Sequence, residues 1–306
     1  MEIMNNTQDF TPAEPGLLSA KQAAVWFLVL CLGSQYLLIA GVYLEWIPRK
    51  IYTFRIFGPL VAAVIASYSY AGKAGVREIF ASLFTWRCHW RWYVFCFVWL
   101  TLFSFALLVL ENLVMGRGFA PIPLDFSNVS PFSADPSVAH VSRSILRGSI
   151  FIAFVEEIAW VSCFMMLLHR YFTPLVASII TSVFWCSWWV PAILLGDGVI
   201  AGLPIPVLYV HYVGLAATCL WVYHFTKSAI LVIAMQFITN MVSLIIPVLP
   251  DSGGMGTYLV YVFSKCLLIF VLFAKFGPKP LWRKSPAASA FPTNAASNAA
   301  LNSVPS

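Results

Sequence analysis

Residues 145–168 read ILRGSIFIAFVEEIAWVSCFMMLL, an apolar run long enough to cross a bilayer as one helix, with Glu156 and Glu157 near its middle. A carboxylate at membrane depth costs about 2.5–3.5 kcal/mol on insertion-based scales, and two adjacent ones compound the cost. Packing alone gives no reason to carry that burden. The pair therefore predicts both an integral membrane fold and a functional site within it.

The rest of the chain agrees with the first of these. Of 306 residues, 60% are hydrophobic and 10% charged, and the mean hydropathy is +0.84. Soluble domains carry about 25% charged residues, so this composition excludes an ordinary soluble globule. Apolar runs of spanning length lie near 24–46, 51–71, 93–114, 146–168, 174–195, 205–225, 229–249 and 257–275. They predict an all-α polytopic membrane protein of about eight transmembrane helices, with a membrane domain over 24–276. Breakers separate the runs: Pro48 with Arg49-Lys50, residues 72–92, Thr173-Pro174, Gly196-Asp197-Gly198, Thr226-Lys227 and residues 250–256.

Residues 1–23 form a polar N-terminal segment without a basic n-region, which reads as no cleaved signal. Residues 116–137, rich in Pro, Ser and Asp, read as an exposed loop. Residues 279–306 are low in complexity and predict a disordered tail. With both termini on the cytoplasmic side, 11 of the 18 Lys and Arg residues fall on that side, and the positive-inside rule favours this orientation. The net charge of +6 sits in loops and tail, which points to lipid contact rather than to nucleic acid.

Four spans carry polar or unusual groups at depth. The fourth has the glutamates and Trp160. The fifth has Trp185, Trp188, Trp189 and Pro191. The seventh has Gln236 and Asn240, spaced i,i+4 and so on one helix face. The eighth has Lys265, the one lysine well inside a span and a candidate counter-ion for the glutamates. Adjacent glutamates on a helix point about 100° apart, so one can face a central site while the other braces a neighbouring helix. His211 lies inside the sixth span, where a hydrogen-bonded helix contact is the simpler reading than a ligand. The tryptophans read first as interhelical packing, and Gln236 and Asn240 as interhelical hydrogen bonding. The chain lacks HExxH, GxxxxGK[ST] and GxGxxG, so neither a zinc protease motif nor a nucleotide site is indicated, and no cofactor or metal is expected. Seven cysteines, none in a CxxC pair, read as small buried apolar groups.

The order and spacing of these groups resemble the CPBP family of CAAX prenyl proteases and bacteriocin-processing intramembrane proteases, also called the Abi family. That family shows EExxxR in one span, FxxxH in the next and HxxxN two spans later. Here the motifs read Glu156-Glu157-Ile158-Ala159-Trp160-Val161, then Trp185-Cys186-Ser187-Trp188-Trp189 followed by Val190-Pro191, then Gln236-Phe237-Ile238-Thr239-Asn240. The resemblance covers roughly residues 145–245. It implies a bundle of about eight spans in which a glutamate activates water while histidines and an Asn hold the water and the developing oxyanion. It carries catalytic candidacy to Glu156, Glu157, Gln236 and Asn240, with Trp160, Trp185, Trp189, His211 and Lys265 as cavity-lining candidates.

The departures weigh as much as the matches. Val161 stands at the family Arg, Trp189 at the first His and Gln236 at the second. An indole has one donor and no acceptor, so Trp189 can neither take a proton nor bind a metal. The expectation is a degenerate, pseudoprotease-like member that binds a membrane or lipidated partner. The alternative is an active intramembrane endopeptidase with Glu156 as general base, on a prenylated or peptide substrate protein. A transporter with an intramembrane carboxylate pair is the weaker alternative, since no inverted repeat is visible.

Overall fold

The structure is a computed structural model that describes residues 16–196 and 203–278. Most of the polar N-terminal segment, Asp197-Gly198 of one predicted breaker and the C-terminal tail lie outside the described residues. Among these, every regular element is helical: α1 (Ala20–Tyr43), a 3-10 segment (Arg49–Phe57), α2 (Gly58–Ala81), α3 (Trp90–Val114), α4 (Pro136–Glu156), a π-helical segment (Glu157–Met165), α5 (Met166–His169), α6 (Pro174–Leu194), α7 (Ile205–Thr226), α8 (Ala229–Ile245) and α9 (Pro250–Phe276). Seven stretches are long and apolar enough to cross a membrane, the run Pro136–His169 counting as one, and α8 is a shorter apolar helix. The protein is a multi-pass membrane helical bundle.

Local chemistry sets the helix ends. Ser19 caps α1, accepting from Gln22 N at 3.3 Å while Gln22 Oε1 accepts from Ser19 N at 3.0 Å. Asp135 caps α4, and the Ser137 hydroxyl and N–H that both donate to it hold its carboxyl below the usual range. Pro136 and Pro174 each occupy the first helical turn, where the missing N–H costs nothing. Lys227 takes a left-handed conformation (φ 52°) that stops α7, and Ser228 caps α8 at once through Leu231 N.

Four expected spans come out differently at their ends: α4 begins at Pro136, ten residues ahead of the run predicted at 146–168, α9 begins at Pro250 and takes in the breaker predicted at 250–256, and the runs at 51–71 and 229–249 change as well. The run predicted at 51–71 begins as the 3-10 segment and continues as α2 to Ala81, bending at Ala71-Gly72, where Gly72 has φ 58°. The glycine therefore kinks a helix that the sequence reading ended there. The run predicted at 229–249 stops at Ile245, because Ile246 precedes Pro247 and is pushed to extended backbone (φ −94°, ψ 130°). The resulting 17 residues span roughly 26 Å at 1.5 Å each. Residues 116–135 are irregular apart from a short 3-10 turn at Ser127–Val129, as the composition predicts.

The π-helical segment is the centre of the bundle. All nine of its residues are buried, and it touches α2, α6, α7 and α8. On the α2 side, Ala62, Ala63, Ala66 and Ser67 leave room for close approach. Cys163 Sγ lies 3.3 Å from Ser67 Oγ and 3.6 Å from the Ala63 carbonyl, and Ser162 meets Ser82 at 3.3 Å. The neighbours α6 and α7 pack on each other, as do α1 and α2, α7 and α9, and α3 and α8.

Candidate functional site

Glu156 is the last α-helical residue before the π-helical segment and Glu157 is its first. π-helical insertions widen a turn to i→i+5 bonding and concentrate at functional sites. Glu156 is 2% exposed and Glu157 not at all. Burial of this depth demands partners, and the two glutamates find them in different directions.

Both oxygens of Glu156 are taken by side chains. Trp189 Nε1 on α6 donates to Oε1 at 2.6 Å, and Gln236 Nε2 on α8 donates to Oε2 at 2.8 Å. Three sequence-distant elements thus meet at one carboxylate, through residues that the family resemblance made candidates. Trp185, one turn before Trp189, also faces Glu156 but lies outside hydrogen-bonding geometry. Its ring instead stacks on Trp160 at 5.9 Å and 13°, and Trp160 packs edge-on against Phe27 of α1. The tryptophans therefore divide: Trp160 and Trp185 pack, as expected, while Trp189 is a polar partner of the carboxylate.

Glu157 turns to α7, where Cys219 Sγ donates to its Oε1 at 3.5 Å, and its Oε2 has no partner. Asn240 is half-buried and makes no hydrogen bond to Glu156, although it lies one turn from Gln236. His211 faces α9 and pairs through Nδ1 with the Tyr258 hydroxyl at 3.1 Å, so it does not enter the Glu156 site.

The candidate counter-ion Lys265 does not reach the glutamates. Its buried Nζ has no hydrogen-bond partner and lies 5.1 Å from the Tyr261 ring centroid. Its stem runs along α7 instead, where a Cβ added to Gly214 would sit 3.0 Å from Lys265 Cε. The cation that does act on Glu156 is Arg55, from the 3-10 segment before α2. Its guanidinium carbon lies 4.7 Å from the Tyr52 ring centroid, 4.9 Å from that of Trp189 and 5.4 Å from that of Trp188. Tyr212 of α7 and Cys31 of α1 complete the electrostatic surroundings of Glu156.

Arg55, Tyr212 and Cys31 escaped the sequence reading. Arg55 lies near the start of the run predicted at 51–71, where a basic residue reads as a topology signal. Nothing in the spacing ties it to a span a hundred residues later.

Residues 139–242 match the family model of Type II CAAX prenyl endopeptidase Rce1-like proteins. Over these residues the chain is similar to that family, and the match supports the CPBP resemblance. The match takes in Glu156, Glu157, Trp189, Gln236 and Asn240, and it ends before α8 does; Arg55 lies outside it. No curated protein matches the chain. Of the side chains that the resemblance sets at the family Arg and His positions, Val161 is fully buried in the π-helical segment and Trp189 and Gln236 donate to Glu156.

The chemistry open to this arrangement follows from its donors and acceptors. Trp189 supplies an N–H and nothing else, and Gln236 supplies an N–H while its buried Oε1 remains unpartnered. Neither titrates near neutral pH. Proton transfer in the immediate site therefore falls to Glu156 alone, whose oxygens already accept two hydrogen bonds.

Proposed function

We propose that the CPBP-like segment serves as a non-hydrolytic receptor for a membrane or lipidated partner, on a fold otherwise used for peptide cleavage. One observation carries the reading: both oxygens of Glu156 are occupied by side-chain donors from α6 and α8. A general base needs an oxygen within reach of the proton it removes, about 2.6–3.2 Å from the donor atom. Here the nearest donors are an indole and an amide of the protein itself. The 2% exposure of Glu156 agrees, since a hydrolytic water needs a place beside the carboxylate.

A second reading, an active endopeptidase with Glu156 as base, draws on the contact between Glu156 and Gln236. An amide N–H at that place can donate to an oxyanion once Glu156 moves away from it.

The experiment is tripeptide release from an S-farnesylated peptide by the full chain in proteoliposomes, read by mass spectrometry beside the Glu156→Gln variant. The expected result is farnesyl-dependent binding of the peptide with release no faster than in protein-free vesicles. Release that disappears in Glu156→Gln establishes the second reading and overturns the first. Binding that ignores the farnesyl group also overturns the first.

A further inference from the structure

Arg55 has a setting that the glutamate site does not use up. Its guanidinium carbon lies 4.7–5.4 Å from the ring centroids of Tyr52, Trp188 and Trp189. Its Nη1 is out of solvent and has no hydrogen-bond partner. Among the described residues no carboxylate closes on it, and Glu156 acts on it only from a distance, with the Trp189 ring next to both. A guanidinium carries five in-plane N–H donors matched to carboxylate and phosphate oxygens, and a desolvated donor left unpaired is costly.

The cage is built rather than incidental. Gln35 Nε2 of α1 donates to the Trp188 carbonyl at 2.9 Å, and the Tyr36 hydroxyl donates to the Ser187 carbonyl at 3.1 Å, fixing this stretch of α6 against α1. Trp188 and Trp189 meet edge to face at 5.1 Å, and Trp189 is further pinned by Glu156. Arg55 as a whole is partly exposed, so part of the side chain reaches the surface. Beside it Phe54 and Phe57 are 64% and 40% exposed, which gives a neighbouring apolar surface.

We infer that Arg55 and its three-ring cage form a receptor for an oxyanion carried on an apolar chain, the oxyanion taking the in-plane N–H groups and the chain lying along Phe54 and Phe57. A peptide carboxylate and a lipid phosphate share this chemistry. The inference rests on reading the Glu156 region as a binding site, and it names the group that the site holds.

The test measures affinities of the full chain in phosphatidylcholine nanodiscs for three probes: an S-farnesyl tetrapeptide with a free carboxylate, the same peptide as its C-terminal amide, and dodecyl phosphate. Binding of the acid or of the phosphate roughly tenfold or more tighter than the amide is expected, as for a charge-assisted bidentate pair, and which of the two gains identifies the source. Arg55→Gln is expected to erase that gain. Should Arg55→Gln fail to fold, Arg55→Lys carries the test, because it keeps the charge and loses the planar fork, so a several-fold loss is expected. Equal binding of all three probes, or wild-type oxyanion affinity in the folded variant, overturns the receptor. If acid and amide bind equally while the farnesyl group is still required, the receptor falls and the lipidated-partner reading stands. If no farnesyl probe binds but Arg55 still holds dodecyl phosphate, the reverse holds.

Discussion

Trp189 donates its indole N–H to Oε1 of Glu156 across 2.6 Å while its ring face lies 4.9 Å from the Arg55 guanidinium. One side chain thus touches the buried carboxylate by its edge and the cation by its face. Trp189→Phe keeps most of the ring and removes the edge donor, leaving a carboxylate oxygen unpaired in a site that is 2% exposed. Such a loss costs about 1–3 kcal/mol. Trp185→Phe is the matched control, since the Trp185 N–H has no hydrogen-bond partner to lose. Reversible unfolding in mixed micelles is expected to rank Trp189→Phe as the more destabilised; equal losses would remove the hydrogen bond from the account of the site.

Gln236 offers a second, independent check on the same carboxylate. Gln236→Leu deletes the 2.8 Å donor to Oε2, and Glu156→Gln removes the charge it serves. A double-mutant cycle between them is expected to show coupling of about 1 kcal/mol, above the roughly 0.6 kcal/mol average of interhelical membrane hydrogen bonds because one partner is a carboxylate. Asn240→Leu, which breaks no hydrogen bond to Glu156, is expected to couple to Glu156→Gln by no more than about 0.5 kcal/mol. Coupling of Asn240 as strong as that of Gln236 contradicts this geometry.

The candidacy of Glu156, Trp189 and Gln236 was legible from their depth inside spans and from the resemblance of their motifs to the CPBP family, but their convergence was not. Helix period turns spacing within one span into a face, and how the spans pack decides which faces meet. The bundle itself was legible from apolar run lengths, apart from the ends of four runs; α4 and α9 begin ahead of their apolar residues, at Pro136 and Pro250, and the other two are α2 and α8. There, a 3-10 start and a Gly72 kink moved α2, and Pro247 cut α8 short. The π-helical segment was not legible, since the apolar residues 158–161 and 163–168 fit α and π spacing alike and tertiary burial selects between them. Arg55 was hidden for another reason: its partners are aromatic faces on α6 and its own neighbour Tyr52, and cation–π contacts leave no motif.

The contact between α2 and the π-helical segment depends on small side chains. Ala63 is fully buried, and its carbonyl accepts from Cys163 Sγ at 3.6 Å. Ala63→Leu forces three additional carbons into that contact, and overpacking of this kind costs about 1–3 kcal/mol. Ala63→Ser, close to the native volume, is expected to be less destabilised than Ala63→Leu. Cross-linking between cysteines introduced at the α2–π boundary measures the separation directly. An unchanged cross-linking rate and unchanged stability in Ala63→Leu would show that α2 is not held there by close approach.

Lys265 gives the sharpest contrast between expectation and geometry. As a counter-ion of the glutamates it would be indispensable, because breaking a buried ion pair by removing one partner costs about 3–5 kcal/mol. In the structure its Nζ is buried without a hydrogen-bond partner, over the Tyr261 ring, and its stem packs against Gly214 of α7. Lys265→Met keeps an unbranched stem of similar reach and removes an amine that no protein group satisfies. Replacing an unpaired buried cation by an apolar side chain relieves a desolvation cost, so the variant is expected to be at least as stable as wild type. Its effect is also expected to add to that of Glu157→Gln, since Cys219 and not Lys265 donates to Glu157. A loss of about 3 kcal/mol in Lys265→Met, cancelled in the Glu157→Gln background, would establish an ion pair with Glu157 after all.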